Sequence, residues 1–540
     1  MDNKPEKNIE LLNPKSAYFV PNTAPLKKEY TPLSKKENIF IFITLAELFI
    51  FVDLAFFHGF SLGFTISFPI IFGFTTAFIY DKKAENKLFS FICGAFSLIL
   101  SISTTFFNNT FIKPVSLLII LFLFAIYCLG ISGGITRFAG SYKLLIDLFL
   151  ETVGAPFGNL ENVFGSIKAG AKKNKGALSV LIGCLCALPV LIVIIPLLVS
   201  SDAAFEGLVG TVFENIGEYL IEIAVAVVVL PFFYSYLLSR RRKNYKMKQT
   251  KKADQKKLSS TICISFLSVI SLTYIVYLFS QLAYFFSAFK GILPEDYVYT
   301  ASAFARRGFY EMFAICVINI ALISLVSLLS ERKNKKLPAF IKVLSTFISL
   351  FSVLLIIVAM QKMRLNISTY GLSVNRILVC AFMLMMLFVI AFFILHIFAP
   401  KVKYMQAIII ICAVIFTVLT FSDIDRIAAE YNISAYTSGE LETLDVEAIA
   451  NMSDSAVPSL VKLTESKDEK IAKKAKKEIA KRRFYRMDLV QNDSETALVY
   501  TNEGDFREYN RAKVIANNTV KDYFAKLSDK DKEEFINVYD

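Results

Sequence analysis

Between residues 39 and 421 the chain is a succession of long apolar runs separated by short polar segments. An α-helix rises about 1.5 Å per residue, so about twenty apolar residues cross a hydrocarbon core about 30 Å thick. The pattern predicts an all-α fold, a polytopic transmembrane helix bundle of about eleven spans. The expected spans are 39–57, 61–80, 88–106, 112–131, 177–199, 217–238, 259–288, 310–330, 338–360, 376–398 and 403–421.

Composition favours this membrane interpretation over a large soluble protein with buried helices. Hydrophobic residues make up 55% of the 540, charged residues only 19%, and phenylalanine alone contributes 51. Ordinary soluble domains are about a quarter charged. The apolar surface of this chain therefore exceeds what a fold exposed to water could bury, and the lipid bilayer is its expected environment.

The N-terminal segment, residues 1–38, has a different composition. It is polar and contains five prolines and seven lysines. Such a segment cannot bury enough apolar surface to order itself, so we expect a disordered cytoplasmic tail. No apolar core followed by a small-residue cleavage site is present, and the first span is expected to act as an uncleaved anchor.

The distribution of charge predicts orientation and argues against nucleic-acid binding. The net charge is +13, but the residues from Asp423 onward hold 19 Lys and Arg against 24 Asp and Glu. The basic excess lies between the apolar runs, as the positive-inside bias requires, and not on one folded face. With a cytoplasmic N-terminus and an odd number of spans, the C-terminal tail lies outside. One missed or false span would reverse its side.

Two segments between spans carry further expectations. Arg240, Arg241 and Arg242 open a basic cluster that could bind anionic lipid headgroups, although an orientation signal alone is the favoured explanation. Segment 132–176 contains Tyr142–Glu151, in which apolar and charged residues fall on different helix faces. That spacing predicts a helix lying in the membrane interface, as a collar under the bundle.

Residues 422–540 form a soluble segment, predicted to be a small helical extramembrane domain or a cover on the bundle. Its clearest helix, 468–484, has an apolar stripe, and 456–463 forms a second helix with a proline in its first turn. The tail has no His and no Cys, so we expect it to bind or cover rather than catalyse. We expect this stripe to pack on 457–463 and the pair to leave further apolar surface that docks on the span ends near Arg307 and Tyr370. The stripe consists of Ile471, Ala475, Ile479 and Phe484.

Motifs for known chemistry are not found. The sequence has no phosphate-binding GxxxxGK[ST] loop and no HExxH, and it has only two histidines, His58 and His396. All eight cysteines fall in apolar runs, where thiols act as small hydrophobes far more often than as ligands. We therefore expect no metal and no cofactor, and an enzyme is the least favoured class.

Ionisable side chains at membrane depth are the remaining candidates, because each is costly to bury and tends to mark function. We consider structural ion pairs, a solute or ion path, and accidental interfacial positions as explanations. The macrodipole at a helix N-terminus and snorkelling to headgroups are the simpler causes for the acids and the arginines. The candidates are Glu47 and Asp53 in the first span, Glu218 and Glu222 with Glu214 in the sixth, and Arg307 and Glu311 as a pair at the eighth.

Three local strings resemble one family. They are Thr300–Glu311, Met363–Arg376, and Asp425–Asn432 with the following Asp454–Leu460. They are similar to signatures of the bacterial multi-pass membrane proteins grouped as domain of unknown function 4173, with Ser373 where that family has Thr. The resemblance implies a bacterial inner or plasma membrane protein and supplies no activity. In the predicted topology the three strings lie at the outer ends of spans, so we infer that they meet there and fasten the tail to the bundle. Their residues are Arg307, Gly308, Phe309, Glu311, Tyr370, Gly371, Arg376, Asp425, Arg426 and Asn432.

Two functions follow from this pattern. The first is a sensory, regulatory or scaffolding membrane protein whose outer tail meets a protein partner. The second is a transporter or channel for a small solute, ion or lipid. A polar cavity at mid-membrane lined by Glu47 would favour transport. A bundle sealed by Phe and Leu, with polar groups at its outer rim, would favour the first.

Overall fold

The structure is a computed structural model of the whole chain. It describes residues 32–84, 87–135, 143–165, 203–243, 258–290, 309–331, 337–399, 402–482, 487–492, 495–500 and 505–539, with isolated positions between 183 and 201. Residues 1–31 of the predicted disordered tail, 1–38, lie outside the described residues. The end of that prediction is wrong, because the first helix already begins at Lys35, after its N-cap Ser34.

Long apolar helices make up the body of the protein, and the described part of the chain contains nine that could cross a membrane. The predicted all-α polytopic class is confirmed. These helices are α1 (Lys35–Phe51, continued by a π-helical turn Val52–Phe56), α2 (Leu62–Ile79), α3 (Lys87–Phe106), α4 (Ile112–Ile131), α6 (Ala203–Arg242, spanning from Tyr219), α7 (Ser260–Lys290, spanning to Phe279), α9 (Ala339–Tyr370), α10 (Val374–Phe398) and α11 (Tyr404–Phe421).

The nine spans match nine of the eleven apolar runs. The run 177–199 lies outside the described residues apart from isolated helical positions. The run 310–330 forms helix α8 (Phe309–Leu329). Its apolar part, Glu311–Ser327, is shorter than each of the nine spans. The apolar pattern therefore placed the spans well where the structure describes them.

The chain enters the bundle at one end and leaves it at the other. At the entry, the Ser34 side chain accepts a hydrogen bond from Glu37 N, and the Glu37 carboxylate accepts one from Ser34 N, forming a capping box. Arg242 then binds the Glu37 carboxylate with Nη2–Oε2 at 2.8 Å, and Tyr234 donates a hydrogen bond to the Glu37 carbonyl. Sixteen residues later, about 24 Å along the helix, Asp53 contacts the C-terminal tail.

The three arginines at the end of α6 are engaged by the protein itself. Arg240 is 1% exposed and lies over the Tyr236 ring. Arg241 donates to the Phe78 carbonyl, and Arg242 is held by Glu37. These contacts favour a structural role for the arginines, and binding of anionic lipid at this cluster stays a prediction.

The segment after α4 contains the predicted interfacial helix, α5 (Lys143–Gly158), which packs on α6. Leu144 and Leu148 are buried, whereas Phe149 is 67% exposed. Asn159, just after the helix, donates from its side chain to Ser239 Oγ at 2.6 Å. The helix thus presents one apolar face to the bundle and another away from the protein.

The tail has a hydrophobic core of its own. Its helices are α12 (Ile424–Thr437), α13 (Val446–Ala450), α14 (Val457–Lys462), α15 (Glu469–Lys481), α16 (Arg511–Ala525) and α17 (Asp529–Tyr539), with short 3₁₀ turns at Asp454–Ala456, Leu463–Glu465 and Phe506–Glu508. An antiparallel hairpin of β1 (Met487–Asn492) and β2 (Glu495–Tyr500), which the sequence pattern did not predict, lies between α15 and α16.

The apolar stripe on α15 is buried inside this core and packs on α14, which confirms the predicted packing of these two helices. Docking of further apolar surface of the tail near Arg307 stays a prediction, because Arg307 lies outside the described residues. Ile471 and Ile479 pack in one cluster with Leu460, Val520 and Phe524. The predicted stripe found partners within the tail because α16 and α17 supply apolar faces. Phe484 lies outside the described residues.

Candidate functional site

A polar cleft of about 580 Å³ lies where the span ends meet the tail. The loop before α4 and the α9–α10 turn form its bundle side, and α12 with the segment from Leu441 to Ser453 forms its tail side. Tyr370, Arg376 and Asp425, three of the predicted site residues, line it together. Two of the three strings that resemble a known family therefore meet here.

Asp425 joins the two sides of the cleft. It is 3% exposed, in the first turn of α12. Its Oδ2 accepts a hydrogen bond from Asn109 Nδ2 at 2.6 Å, and its Oδ1 accepts one from Ser453 N. Asn109 in turn accepts hydrogen bonds from Phe111 N and Ile112 N, which caps α4. The carboxylate is therefore a structural link between the α3–α4 loop and the tail.

The α9–α10 turn is clamped by an asparagine of the tail. Asn432 donates from Nδ2 to the Leu372 carbonyl at 2.8 Å and accepts from Leu372 N at 2.6 Å. Gly371 has φ +76°, and a Cβ there would lie 2.4 Å from Asn432 Oδ1. Only glycine allows this approach together with a positive φ.

Arg376 stabilises the same turn from α10. Its Nη1 donates to the carbonyls of Tyr370 and Gly371, at 3.1 and 2.5 Å. These are the last carbonyls of α9, where a cation is favoured by the helix macrodipole. The Tyr370 side chain is 47% exposed at the mouth of the cleft.

A second polar contact joins the first span to the tail. Asp53, in the π-helical turn, pairs with Arg507 at 2.5 Å, and Arg507 also pairs with Asp505. His58 Nε2 lies 3.5 Å from Asp505 Oδ2. Partial burial raises the pKa of Asp505, but hydrogen bonds from the Arg507 backbone and side chain outweigh it and hold the pKa below its ordinary value.

This pKa shift predicts that acid weakens the contact. A carboxyl whose pKa is lowered in the folded protein stabilises it above the unfolded pKa, and the stabilisation is lost as pH falls through the folded pKa. Asp505 has an ordinary value of 3.8, so the tail should become more sensitive to protease from about pH 4 downward. An Asp505→Asn variant is the control, and it should show a flatter dependence. An identical pH profile for both proteins would contradict the assignment.

Two more asparagines extend the junction. Asn510, the N-cap of α16, donates to the carbonyls of Thr104 and Phe107 at the end of α3. Asn108 donates to Asp454, whose other oxygen binds Arg482 at 3.0 Å. The tail is thus held to the spans by hydrogen bonds and ion pairs, and not by its apolar stripe.

The other predicted site residues lie elsewhere. Glu47 is 3% exposed, and neither carboxylate oxygen has a hydrogen-bond partner in the described part of the chain. Glu222, on α6, is fully buried. Arg426 forms an exposed pair with Glu430. The predicted Arg307–Glu311 pair cannot be described, because Arg307 lies outside the described residues, as do Gly308 and the side chain of Glu218. Glu311 is exposed, and Lys362 interacts with it electrostatically.

Sequence reasoning missed Asn109, Asn510 and Arg507. Each contacts a partner more than 300 positions away along the chain. Asn109 contacts Asp425, Asn510 contacts carbonyls at the end of α3, and Arg507 contacts Asp53. The usable signal was local: Asn at 109 and 510 each precedes a helix, which is the position favoured for an N-cap.

A family described as Domain of unknown function (DUF4153) matches residues 68–463. The chain belongs to this family. The match runs from the second span to the end of α14, so the family region contains both sides of the cleft and excludes Asp53 and Arg507. No curated protein and no solved structure shows a significant match to the chain.

The family confirms part of the expected resemblance. The prediction of a family of unknown function holds, but the family that matches is DUF4153 and not domain of unknown function 4173. Together with the nine apolar helices found among the described residues, it identifies an integral, multi-pass membrane protein.

Proposed function

We propose that this protein is a sensory, regulatory or scaffolding component of a bacterial plasma or inner membrane, and that its tail lies outside the cytoplasm and meets a protein partner there. The observation that carries the proposal is the junction. A tail with its own core is fastened to the span ends through the buried Asp425 and Asn109, so a change on the tail reaches the spans directly.

The interior of the bundle supports this proposal over transport. The cluster where α1 and α6 pack consists of Leu48, Val52 and Ala226 with further aliphatic and aromatic neighbours. A cavity between Met312, Cys316 and Leu355 is apolar and only about 20 Å³. The polar cleft, in contrast, lies at the span ends.

Orientation is the first test. Ser438 is exposed just after α12, and Ser438→Cys in a cysteine-free background gives a single thiol on the tail. We expect a membrane-impermeant maleimide to label it in intact cells, because the positive-inside bias of the basic segments favours a cytoplasmic location for the other end of the bundle. An exposed residue near the entry end, Lys36→Cys, is the control and should label only after lysis. The reverse pattern would overturn the outer tail.

The burial of the Glu47 carboxyl in the first span favours the alternative function, a transporter or channel for a small solute, ion or lipid. A carboxyl buried in a span without a hydrogen-bond partner among the described residues is costly, and such groups often serve ion or proton movement.

The two functions predict different results for Glu47→Leu. In a sealed sensory or scaffolding bundle, the substitution removes an unsatisfied polar group and should raise stability by about 1–3 kcal/mol, measured as a higher thermal midpoint of the purified protein. Leu48→Met, at the neighbouring buried position, controls for general packing changes. A lowered midpoint, or loss of proton-coupled uptake into proteoliposomes by Glu47→Gln, would favour transport instead.

A further inference from the structure

An apolar groove of about 800 Å³ runs along the membrane-spanning part of the bundle. Helices α4, α10 and α11 supply most of its lining, each with residues spaced three or four apart on one face, and Leu145 of α5 and Phe313 of α8 complete it. On α11 the lining extends from Met405 to Leu419, fourteen residues or about 21 Å of helix. This length exceeds half of a hydrocarbon core about 30 Å thick.

The groove and the polar cleft are continuous at the tail-side end of the spans. Phe111 and Asn375 line both. Phe111 is 58% exposed at the start of α4, and Asn375 lies in the first turn of α10. The surface therefore changes from apolar to polar across one turn of helix, at the depth where a bilayer changes from acyl chains to headgroups.

We propose that the groove and the cleft together bind one membrane lipid, with an acyl chain in the groove and an uncharged, hydroxyl-bearing headgroup such as a sugar in the cleft. This site is separate from the proposed contact of the tail with a protein partner. It would place a lipid of the tail-side leaflet between the spans and the tail.

The occupant of the groove follows from its position. It opens sideways on spanning helices, where the surrounding solvent is lipid, and its lining is almost wholly aliphatic, aromatic or Met. Water in the groove would find almost no hydrogen-bond partners in this lining, whereas an acyl chain fills it with dispersion contacts.

The headgroup class follows from the charges of the cleft. Two carboxylates, Asp425 and Asp445, line it, and the one cation among its described lining residues, Arg376, already donates to two backbone carbonyls. A phosphate would face more negative than positive charge. An uncharged headgroup avoids that repulsion.

The remaining lining suits hydroxyl groups. Thr110, Asn375, Thr443 and Asn451 offer both donors and acceptors, as sugar hydroxyls do. The exposed ring of Tyr370 adds a flat apolar face at the mouth. A volume of about 580 Å³ falls in the range of pockets that hold a small organic molecule.

The test compares lipids on the full-length protein purified in detergent. Glucosyl-diacylglycerol, phosphatidylglycerol, diacylglycerol and the soluble glucosylglycerol are added separately, and binding is followed by thermal midpoint and native mass spectrometry. We expect glucosyl-diacylglycerol to bind about tenfold more tightly than any of the other three, because only this lipid fills the apolar groove and also suits the polar cleft.

Two variants locate the binding, each with a matched control. Cys412→Phe fills the groove, whereas Val418→Phe changes the exposed face of the same helix, away from the groove. Thr443→Val removes a hydroxyl of the cleft, whereas Thr437→Val removes an exposed one nearby. We expect Cys412→Phe and Thr443→Val to weaken glucosyl-diacylglycerol binding. The controls Val418→Phe and Thr437→Val should bind it as the wild-type protein does.

Several results would overturn the proposal. Phosphatidylglycerol binding as tightly as glucosyl-diacylglycerol would contradict the uncharged headgroup. Glucosylglycerol displacing the glycolipid at equal concentration would show a soluble ligand and not a lipid. Unchanged affinity in a folded Cys412→Phe variant would show that the chain does not occupy the groove. The comparison of lipids on the wild-type protein decides the proposal even if a variant does not fold.

Discussion

Replacing Gly371 with valine should destabilise the protein more than any other single change at the junction. Gly371 has φ +76° and ψ −173°, a conformation that is open almost only to glycine and costs about 1–3 kcal/mol in other residues. The new Cβ would also lie 2.4 Å from Asn432 Oδ1 and would displace the two hydrogen bonds between Asn432 and Leu372. We expect a loss of about 3 kcal/mol or more in the free energy of unfolding.

The measurement is the thermal midpoint of the purified protein, with protease sensitivity of the tail as a second readout. Gly439→Val is the matched control, because Gly439 has a similar φ of +79° but no described atom lies within 4 Å of the position its Cβ would take. The control isolates the backbone strain from the lost clamp. Equal effects of the two substitutions would contradict the role assigned to Asn432.

The second large effect is expected for Asp425→Ala. The substitution leaves Asn109 Nδ2 and Ser453 N without their acceptor in a buried position. An unsatisfied buried donor costs about 1–3 kcal/mol, so the expected loss is about 3 kcal/mol. Combining it with Asn109→Ala should cost less than the sum of the two single changes, because both remove the same hydrogen bond.

Glu430→Gln is the control for Asp425→Ala. It removes a carboxylate from the same helix, but that carboxylate forms only an exposed pair with Arg426. Such pairs contribute about 0–1 kcal/mol. A loss as large for Glu430→Gln as for Asp425→Ala, or strict additivity of the Asp425 and Asn109 changes, would show that the buried link is not what fastens the tail.

The spans could be predicted from the sequence, because a membrane helix needs only its own twenty apolar residues to be recognised. Gly371, Arg376, Asp425 and Asn432 were also found, through local strings that resemble a known family. In the structure, all four lie at the α9–α10 turn or in the polar cleft beside it. Local patterns were sufficient where local geometry decides the structure.

The tail was predicted less well, for two physical reasons. The hairpin of Met487–Asn492 and Glu495–Tyr500 is short, and its apolar residues lie side by side instead of alternating with polar ones, so it gives a weak strand signal. The helix Arg511–Ala525 does have a recognisable stripe, Ala512, Ala516, Val520 and Phe524, which helps to cover the apolar faces of α14 and α15 in the core of the tail. With that stripe unrecognised, the apolar surface left over from the α14–α15 pair was expected to dock on the spans.

The Asp53–Arg507 pair could not be predicted from either residue alone. Asp53 was noted as a costly acid in a span, but its partner lies 454 positions away in a short 3₁₀ turn. No sequence motif and no hydrophobic periodicity relates two residues so far apart in the chain. Long-range pairs of this kind depend on how the tail folds, which the sequence pattern did not specify.

Cross-linking across the junction tests the docking of the tail most directly. Asn108 Nδ2 lies 3.0 Å from Asp454 Oδ2, so Asn108→Cys with Asp454→Cys in a cysteine-free background should join under a short thiol-specific cross-linker in native membranes. The control pairs Asn108→Cys with Thr437→Cys, which is exposed at the far end of α12, twelve residues or about 18 Å of helix beyond Asp425. The docked tail predicts rapid cross-linking of the first pair and little of the second. No cross-link between positions 108 and 454, or equal cross-linking of both pairs, would contradict it.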